Sequence, residues 1–428
     1  MNPVRNHLLP RISIMWRVFL GFSLISNGMK IKTIRWLLVF AILFGATGYA
    51  HAAKLDSDSR YFIKSTANIW KNSLGMRHSF DNGFTADLSD WQLRLVKIFK
   101  LEVEPVNKLY VLPAEGSDQV LLNVSGHPST GRVVPSSQVP WGVQMIYNSP
   151  IASSSGGDDV LVAVLDTGIL KSHPDLERRL ADCKDFTAPK QPVVVSGKCE
   201  DKNGHGTHVA GIIAADGGAD KKGIWGVAPA AKLYAFKVCG NNGSCWADDV
   251  AVALRTATDE HVNIVNLSLG ADTQSPLIQD AIQYAVDRNV LIVAAAGNDG
   301  PYTGSIDYPA ANPNVVAVGA LNADKEVPEW SSRGINTDTK LGIIEEKDME
   351  FGAPGVNVES TWKDGGYVVL SGTSMAAPHI TGLAAKLWNK TVENPAQVVR
   401  AMLKEITLDI LPPQEDNDSG YGLPQLTP

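Results

Sequence analysis

The sequence lacks a basic excess and the cysteine spacing of a zinc site. Its formal net charge is −7, with 38 Lys and Arg against 45 Asp and Glu, which argues against a nucleic-acid partner or an anionic membrane surface. It has four cysteines, and none of them forms a CxxC or CxxxC pattern. With 428 residues, of which 44% are hydrophobic, the chain is long enough for one large domain with appendages.

The apolar stretch at residues 36–46 is also too short to cross a membrane. A basic stretch at residues 29–35 precedes an apolar stretch at residues 36–46, and Ala50-His51-Ala52 has the small-x-small pattern of a cleavage site. The alternative is a signal anchor that stays in the membrane. We predict an N-terminal extension and signal peptide over residues 1–52, cleavage near Ala52, and export to the periplasm or the medium.

The cysteines fall into two pairs that are close in sequence. Cys183 and Cys199 bracket a polar loop, and Cys239 and Cys245 bracket Gly-Asn-Asn-Gly-Ser. In an exported protein such cysteines form disulfides, and local pairing would join the ends of two surface loops. Four cysteines allow three connectivities, and the sequence does not choose among them.

Hydrophobic periodicity divides the remaining chain into three parts. Residues 53–112 mix strand-like and helix-like patterns, which predicts a small α+β unit. Residues 113–138 are rich in Pro, Ser and Gly and indicate an exposed linker. In residues 139–428, unbroken apolar strands alternate with helices, which predicts an α/β fold with a doubly wound, mostly parallel sheet covered by helices on both faces. We predict its strands at residues 160–165, 232–238, 263–267, 290–294 and 315–320, and its helices at residues 205–215, 248–258, 276–288, 373–388 and 395–405.

Ser374 lies at the start of one predicted helix, in Gly372-Thr-Ser-Met-Ala-Ala-Pro378. Unpaired backbone N–H groups at a helix N-terminus favour negative charge, so this is a place where an oxyanion could be stabilised. A serine at a helix start is, however, more often a simple N-cap. A catalytic role for Ser374 therefore requires a base, an acid that orients the base and a second oxyanion donor elsewhere in the chain.

Three other motifs contain such groups, although each also has an ordinary interpretation. Asp166 ends a buried strand and could cap a turn; Asn298 follows small residues at another strand end and could form an Asx turn. His205 lies between two glycines, with His208 one turn further on. The glutamate of a zinc HExxH motif is absent, so we expect His208 to be a core histidine and not a metal ligand.

Together these residues form a complete set for acyl transfer. Ser374 would attack, His205 would take and return the proton, and Asp166 would fix the histidine tautomer. The Asn298 amide and the Ser374 N–H would hold the oxyanion. The four motifs support one another, because each group is of use only if the others are present.

The motifs Asp166-Thr-Gly, His205-Gly-Thr-His and Gly372-Thr-Ser-Met-Ala-Ala-Pro, in this order, resemble those of the subtilisin family of serine endopeptidases. The resemblance spans residues 139–423. A lipase or esterase would instead carry G-x-S-x-G, and a catalytically silent, peptide-binding subtilisin fold would be expected to have lost part of the catalytic set.

The resemblance also implies a zymogen organisation. Residues 53–112 lie where the family has an inhibitory propeptide, which assists folding, blocks the cleft and is cut away by the enzyme itself. We place the cut between Pro113 and Gln138. The implied mature enzyme is a monomer that acts on proteins and peptides and needs no catalytic cofactor.

Further site residues are implied by the resemblance alone. Ser268-Leu269-Gly270 and Ala295-Ala296-Gly297 match the two walls of the S1 pocket, which takes the P1 side chain next to the cleaved bond. Gly243 and Ser244 match the opposite edge strand. A substrate would therefore lie extended between two strands.

Three acidic residues remain. Asp307 matches a position at the base of S1 and Asp299 follows Asn298, which suggests cleavage after Lys or Arg; alternatively, both carboxylates face solvent and P1 is large and apolar. Asp175 matches a ligand of the family's calcium site, but the partner loop at residues 215–220 lacks the expected asparagines. Calcium and a plain turn both fit this pattern.

Overall fold

The structure, a computed structural model, describes residues 59–112, 133–189, 193–410 and 415–427. The predicted signal peptide and most of the predicted linker lie outside these residues. The chain divides into two compact units: the described residues up to 76 with 81–103 form the first, and residues 77–80 with the chain from 104 onward form the second. None of the described helices has the length and apolar character needed to cross a bilayer.

The first unit is a small α+β structure. Its elements, in chain order, are β1 (Arg60–Ile63), α1 (Asn68–Leu74), β2 (Met76–Phe80), β3 (Gly83–Asp87), α2 (Asp90–Ile98) and β4 (Val103–Pro105), of which β2 and β4 extend into the second unit. Strands β1 and β3 pair antiparallel, and Ile63, Phe84 and Val96 lie in the core between sheet and helices. Helix α2 begins with a capping box between Ser89 and Gln92.

The second unit contains an eight-stranded sheet and its covering helices. Its first elements are β5 (Lys108–Val111), α3 (Trp141–Tyr147), β6 (Leu161–Asp166), β7 (Leu180–Asp185), β8 (Val195–Ser196), α4 (His205–Ala214), β9 (Lys232–Lys237), β10 (Ser244–Trp246), α5 (Ala247–Asp259), β11 (Ile264–Leu267) and β12 (Leu269–Gly270). The rest are α6 (Pro276–Val286), β13 (Leu291–Ala295), β14 (Val316–Leu321), β15 (Phe351–Pro354), β16 (Val358–Thr361), β17 (Tyr367–Leu370), α7 (Thr373–Leu387), α8 (Pro395–Glu405), β18 (Thr407–Leu408) and β19 (Leu423–Pro424).

The large sheet has the strand order β15-β14-β13-β11-β6-β9-β7-β8, and all its pairings are parallel except that of β7 with β8. The five predicted strands are β6, β9, β11, β13 and β14, each within one residue of the predicted ends. Strand β7 was not predicted, because its sequence Leu-Ala-Asp-Cys-Lys-Asp has no apolar run. The α/β fold with a mostly parallel sheet is confirmed.

Helices α4 and α7 pack against each other and against the sheet. All ten residues of α4 are buried, as are the first 13 of the 15 residues of α7, which explains why neither helix has a polar face. Helices α5 and α6 form a second packed pair, with α5 against β6 and α6 against β13. The carboxyl ends of β6, β11 and β13 lead directly into the motifs identified in the sequence.

A separate three-stranded antiparallel sheet has the order β10-β5-β12. Strand β5 lies in the middle, with Tyr110 opposite both Ser244 and Gly270, and Val111 opposite Leu269. The two outer strands are those that the resemblance implies for substrate binding. The chain's own residues 108–111 therefore lie where the resemblance implies an extended substrate peptide.

Both disulfides join cysteines that are close in sequence. Cys183 pairs with Cys199 and Cys239 pairs with Cys245. The first connects β7 to the loop that precedes α4, and the second connects the end of β9 to β10. This selects one of the three connectivities that the sequence left open.

Candidate active site

Asp166 and His205 form a buried pair at the carboxyl end of β6. The His205 ring Nδ1 lies 2.8 Å from Asp166 Oδ1 and 2.9 Å from Oδ2. The Asp166 side chain is fully buried, and its Oδ1 also accepts the Thr167 backbone N–H at 2.6 Å. This arrangement places the Nδ1 proton on the side of the carboxylate and leaves Nε2 as the basic nitrogen.

The start of helix α4 is held by Asp201, which sequence reasoning missed. Its carboxylate accepts the backbone N–H groups of Gly204 at 2.7 Å and Thr207 at 2.9 Å, together with the hydroxyls of Thr167 at 2.9 Å and Thr207 at 2.6 Å. A carboxylate at a helix N-terminus satisfies otherwise unpaired N–H groups and interacts favourably with the positive end of the helix dipole. Asp201 thereby fixes His205 relative to the strand that carries Asp166.

The glycine after His205 is required by close packing. A Cβ atom at Gly206 would lie 2.2 Å from the Gly168 carbonyl oxygen and 3.1 Å from Asp166 Oδ1. Only glycine allows the helix to approach the acid this closely. The pattern Gly-His-Gly in the sequence is therefore a packing requirement as well as a motif.

Ser374 is the second residue of α7 and is fully buried. Its hydroxyl donates to the Ser268 backbone carbonyl at 3.1 Å, and the Ser268 hydroxyl donates to the Ser374 carbonyl at 2.9 Å. Within the described part of the chain, His205 Nε2 has no hydrogen-bond partner. The Ser374 hydroxyl is thus bonded to a backbone carbonyl and not to His205, an arrangement that does not exclude a catalytic pair, because such hydrogen bonds are often long or misaligned outside the productive complex.

Asn298 is oriented by Thr373, another residue that sequence reasoning missed. Asn298 Oδ1 accepts the Thr373 backbone N–H and the Thr373 hydroxyl, both at 3.0 Å. The side-chain amide must therefore point its N–H₂ group the other way, where Nδ2 donates to the Leu112 carbonyl oxygen at 2.6 Å. The Thr373 hydroxyl also accepts the Gly297 N–H at 3.1 Å, so it connects α7 to the chain beyond β13.

Leu112 was not identified from the sequence: it lies next to Asn298, where the resemblance would place the P1 residue of a substrate. Its carbonyl oxygen faces an amide donor beside Ser374, and it follows directly after β5, where the Val111 N–H donates to the Gly243 carbonyl at 3.0 Å. A signal was present in the sequence: Lys108-Leu-Tyr-Val-Leu112 has strand character immediately before the predicted processing region.

The residues predicted for the S1 pocket lie together around Asp307. A Cβ atom built at Gly270 would lie 2.7 Å from Asp307 Oδ2 and 3.0 Å from Leu112 Cδ1. One built at Gly297 would lie 3.0 Å from the same Asp307 oxygen. The strand exit Ser268–Gly270 and the segment Ala295–Gly297 therefore lie on either side of the Asp307 carboxylate, and the Leu112 side chain lies beside Gly270. We call this set of residues, with Asp307, the S1 pocket.

Asp307 is 3% exposed and has two acidic neighbours. Carboxylate oxygens of Asp272, Asp299 and Asp307 all lie within 4.8 Å of one another. Burial, followed by the negative charges of Asp299 and Asp272, raises the pKa of Asp307 to about 7. Of the two carboxylates predicted near S1, Asp307 is buried in the pocket and Asp299 is exposed at its rim.

His208 is a structural residue, as expected. Its Nε2 lies 3.1 Å from the Val358 carbonyl and 3.2 Å from the Val368 carbonyl, so it donates to the β16–β17 hairpin. Complete burial lowers the pKa of His208 to about 3, with the nearby His205 adding to the effect. A neutral, hydrogen-bonded histidine in the core has no role as a base.

The surroundings of Asp175 do not fit a calcium site. Asp175 Oδ2 accepts the Ile224 N–H at 3.0 Å and the Tyr367 hydroxyl at 2.7 Å. In the adjoining loop, Asp216 is paired with the guanidinium groups of Arg178 and Arg179. Calcium needs six to eight oxygen ligands, whereas the oxygens in this loop already face cations and N–H donors.

Comparison with known proteins gives a consistent result. The subtilase family model matches residues 157–422. A protein named subtilisin from Bacillus sp. (strain TA39) is 44% identical over 331 residues, 74% of this chain and 76% of that protein. Subtilisin Savinase from Lederbergia lenta is 42% identical over 254 residues, 59% of this chain and 85% of that protein. The solved structure of sphericase is 44% identical with a TM-score of 0.66, covering 68% of this chain and 99% of that one. With a family model that matches well over half of its length, the chain belongs to the subtilase family and is a subtilisin-like serine protease.

Proposed function

We propose that Asp166, His205 and Ser374 form the catalytic triad of an endopeptidase. The Ser374 hydroxyl attacks a substrate carbonyl carbon while His205 Nε2 takes its proton, and Asp166 stabilises the resulting imidazolium through Nδ1. The proton then passes to the leaving amine, and an ester to Ser374 remains. Water, activated by the same histidine, hydrolyses this ester and restores the enzyme.

The contact between Asn298 and Leu112 is the observation that carries this proposal. Asn298 Nδ2 lies 2.6 Å from a carbonyl oxygen at the P1 position, and Thr373 fixes the amide so that it can only donate there. The Ser374 N–H, at the N-terminal end of α7, would supply the second donor. Such preorganised donors stabilise the charge that develops on the carbonyl oxygen during attack.

We propose, further, that residues 108–112 inhibit the enzyme by binding as a substrate does. Strand β5 lies between β10 and β12, with backbone pairing on both sides and Leu112 in the S1 pocket. A cut after Leu112 would release a chain that begins at Pro113, and cuts up to Gln138 would shorten it further. Autocatalytic removal of residues 53–112 would then open the cleft to other peptides.

The basic n-region and the Ala50-His51-Ala52 pattern support export of this protease as a precursor, and the two disulfides suit an oxidising compartment. We propose that the mature enzyme is a secreted monomer that needs no catalytic cofactor. Size-exclusion chromatography of the mature protein with light-scattering detection tests the monomer, and mass spectrometry of the secreted form locates its N-terminus.

The decisive experiment compares the purified precursor with its Ser374→Ala variant. We expect the wild type to convert itself to a shorter form with a new N-terminus between Pro113 and Gln138 and to hydrolyse casein. The Ser374→Ala precursor should remain intact. Ser371→Ala is the matched control, because Ser371 lies three residues away and its hydroxyl accepts the Asn357 N–H at 2.9 Å outside the site. It should mature normally.

Two results would contradict the proposal. Equal conversion of wild type and Ser374→Ala would place the processing activity elsewhere, and a folded wild type that neither converts itself nor hydrolyses casein would favour a catalytically silent peptide-binding protein. Adding wild-type enzyme to the Ser374→Ala precursor separates the steps, because cleavage in trans shows that the variant is a competent substrate.

A further inference from the structure

We propose that Asp307 makes the P1 preference of this protease change with pH: the protonated pocket accepts leucine-like side chains, and the ionised pocket selects lysine and arginine. The proposal rests on the proposed function, since it concerns the pocket beside the reacting bond. It also accounts for both P1 preferences that the sequence left open, one for Lys or Arg and one for large apolar side chains.

The position of Asp307 puts its carboxylate in contact with whatever enters S1. The Gly270 and Gly297 backbones, one from each wall, lie against the same Asp307 oxygen, and Leu112 Cδ1 lies beside Gly270 as well. The Asp307 N–H donates to the Ala296 carbonyl at 2.8 Å, so the residue is anchored to one wall. This hydrogen bond fixes the Asp307 main chain beside the segment Ala295–Gly297, and burial of the side chain keeps its carboxylate next to both walls.

The charged groups around Asp307 come from three segments. Asp272 follows β12, Asp299 follows β13, and Lys347 belongs to the loop before β15. The two carboxylates oppose ionisation of Asp307, whereas Lys347 favours it; the Lys347 ammonium is hydrogen-bonded to the Gly304 carbonyl at 2.9 Å. The Ser332 hydroxyl, which lies close to Gly297, carries no charge.

Two chemical states of the pocket follow from this environment. When Asp307 is protonated, the S1 pocket is neutral and a leucine side chain, like that of Leu112, can be buried there without leaving a carboxylate unpaired. When Asp307 is ionised, burying leucine would desolvate a carboxylate with no partner, whereas lysine or arginine would pair with it. The pKa of Asp307, about 7, places the change between these states near neutral pH.

The expected pH dependence can be stated quantitatively. The value of kcat/KM reports the ionisation of the free enzyme, so a group that titrates near pH 7 changes from about one tenth ionised at pH 6 to about nine tenths at pH 8. The arginine-to-leucine ratio of kcat/KM should therefore rise about tenfold over this interval, and further if leucine requires the protonated form. It should level off at higher pH.

The test uses the mature enzyme and two fluorogenic peptides that carry Lys-Leu-Tyr-Val at P5–P2 and differ only at P1, leucine or arginine. The ratio of their kcat/KM values, measured from pH 5.5 to 9, cancels any effect of pH that is common to both peptides. We expect a sigmoidal rise for the wild type and a ratio that is flat with pH for Asp307→Asn. Asp324→Asn, an exposed control in the turn after β14, should behave as the wild type.

A second variant keeps the test informative if Asp307→Asn folds poorly. Asp272→Asn removes one carboxylate that opposes ionisation of Asp307, so the midpoint of the ratio should move to lower pH. A wild-type ratio that is flat with pH, while both peptides are hydrolysed in a Ser374-dependent way, would overturn the pH-dependent pocket and leave the protease function intact. Absence of hydrolysis of both peptides would overturn both.

Discussion

Negative charge is held differently on the two sides of the cleft. On the side of the proposed triad, the fully buried Asp166 carboxylate lies within 2.9 Å of the His205 ring nitrogen through both of its oxygens. In the S1 pocket, the buried Asp307 lies instead among the carboxylates of Asp272 and Asp299. Both sites bury an aspartate. Asp166 has a fixed hydrogen-bond partner, whereas the charge of Asp307 depends on whether the carboxyl group is protonated and on which side chain enters the pocket.

The difference corresponds to what each side must do. The proposed proton transfer would require one fixed geometry, and the hydrogen bonds of Asp201 and Thr373 hold the proposed catalytic residues in one arrangement. A specificity pocket only has to favour one side chain over another, so a group whose charge varies can serve there. If this comparison is correct, substitutions on the triad side should reduce turnover, whereas those on the binding side should change which peptides are cleaved or how tightly they bind.

The largest effect is expected for Asp166→Asn. The amide would favour the wrong histidine tautomer and would not stabilise imidazolium, so kcat should fall on the order of 10⁴-fold with little change in KM. Steady-state kinetics with a leucine peptide measures this. Asp185→Asn, at the end of the nearby strand β7, is the matched control and should stay within about twofold of wild type, as is usual for substitutions away from a site. A loss of less than tenfold for Asp166→Asn would mean that the pair is not catalytic.

Thr373→Val should have the next largest effect. The substitution keeps the shape of the side chain but removes the hydroxyl that donates to Asn298 and accepts from Gly297. Losing such bonds costs about 1–3 kcal/mol, so kcat should fall about five- to 150-fold. Thr373→Ser retains the hydroxyl and should recover most of the activity; a valine variant with wild-type kcat would show that the backbone N–H of residue 373 orients Asn298 by itself.

The sequence could predict only those features of the fold and the site that leave a local pattern. The parallel strands and the motif residues Asp166, His205 and Ser374 were identified because apolar runs and glycine-flanked polar residues leave a local pattern. Periodicity does not reveal strands β7 and β10, since their sequences are polar or very short. Local pattern thus identifies buried strands and the motifs at their ends, but not the edges of sheets.

Residues whose role depends on distant contacts were harder to predict. Asp201, Thr373 and Leu112 look like a turn residue, a helix cap and a strand end, and only the fold brings each to the site. Asp299 and Asp307 were placed near S1 by resemblance, but the third carboxylate of the cluster, Asp272, comes from a separate loop after β12. No sequence window contains that cluster, so its charge behaviour could not be predicted.

The two disulfides provide a smaller test on the binding side. Cys239–Cys245 restrains β10, the strand that pairs with residues 108–110, whereas Cys183–Cys199 lies outside the three-stranded sheet. Replacing Cys239 and Cys245 with serine should raise KM for an extended peptide about three- to tenfold, because the edge strand must be ordered on binding. Replacing Cys183 and Cys199 should instead lower the free energy of unfolding by about 3 kcal/mol without changing KM. Equal changes in KM for the two double variants would show that the Cys239–Cys245 disulfide does not affect substrate binding through β10.

The smallest effect is expected at Asp175 and its adjoining loop. Like Asp166, Asp175 already has protein partners: the Ile224 N–H and the Tyr367 hydroxyl bind it, and the neighbouring Asp216 is paired with Arg178 and Arg179. We therefore propose that this loop is held by protein groups and not by a calcium ion at Asp175.

Asp175→Asn should lower the melting temperature by a few degrees through weakened hydrogen bonds. The further shift caused by EDTA, measured by calorimetry, should be the same in wild type and variant, because a metal bound elsewhere would affect both equally. An EDTA shift present in the wild type but lost in Asp175→Asn would identify Asp175 as a ligand and would show that the arginines around Asp216 rearrange to admit the ion.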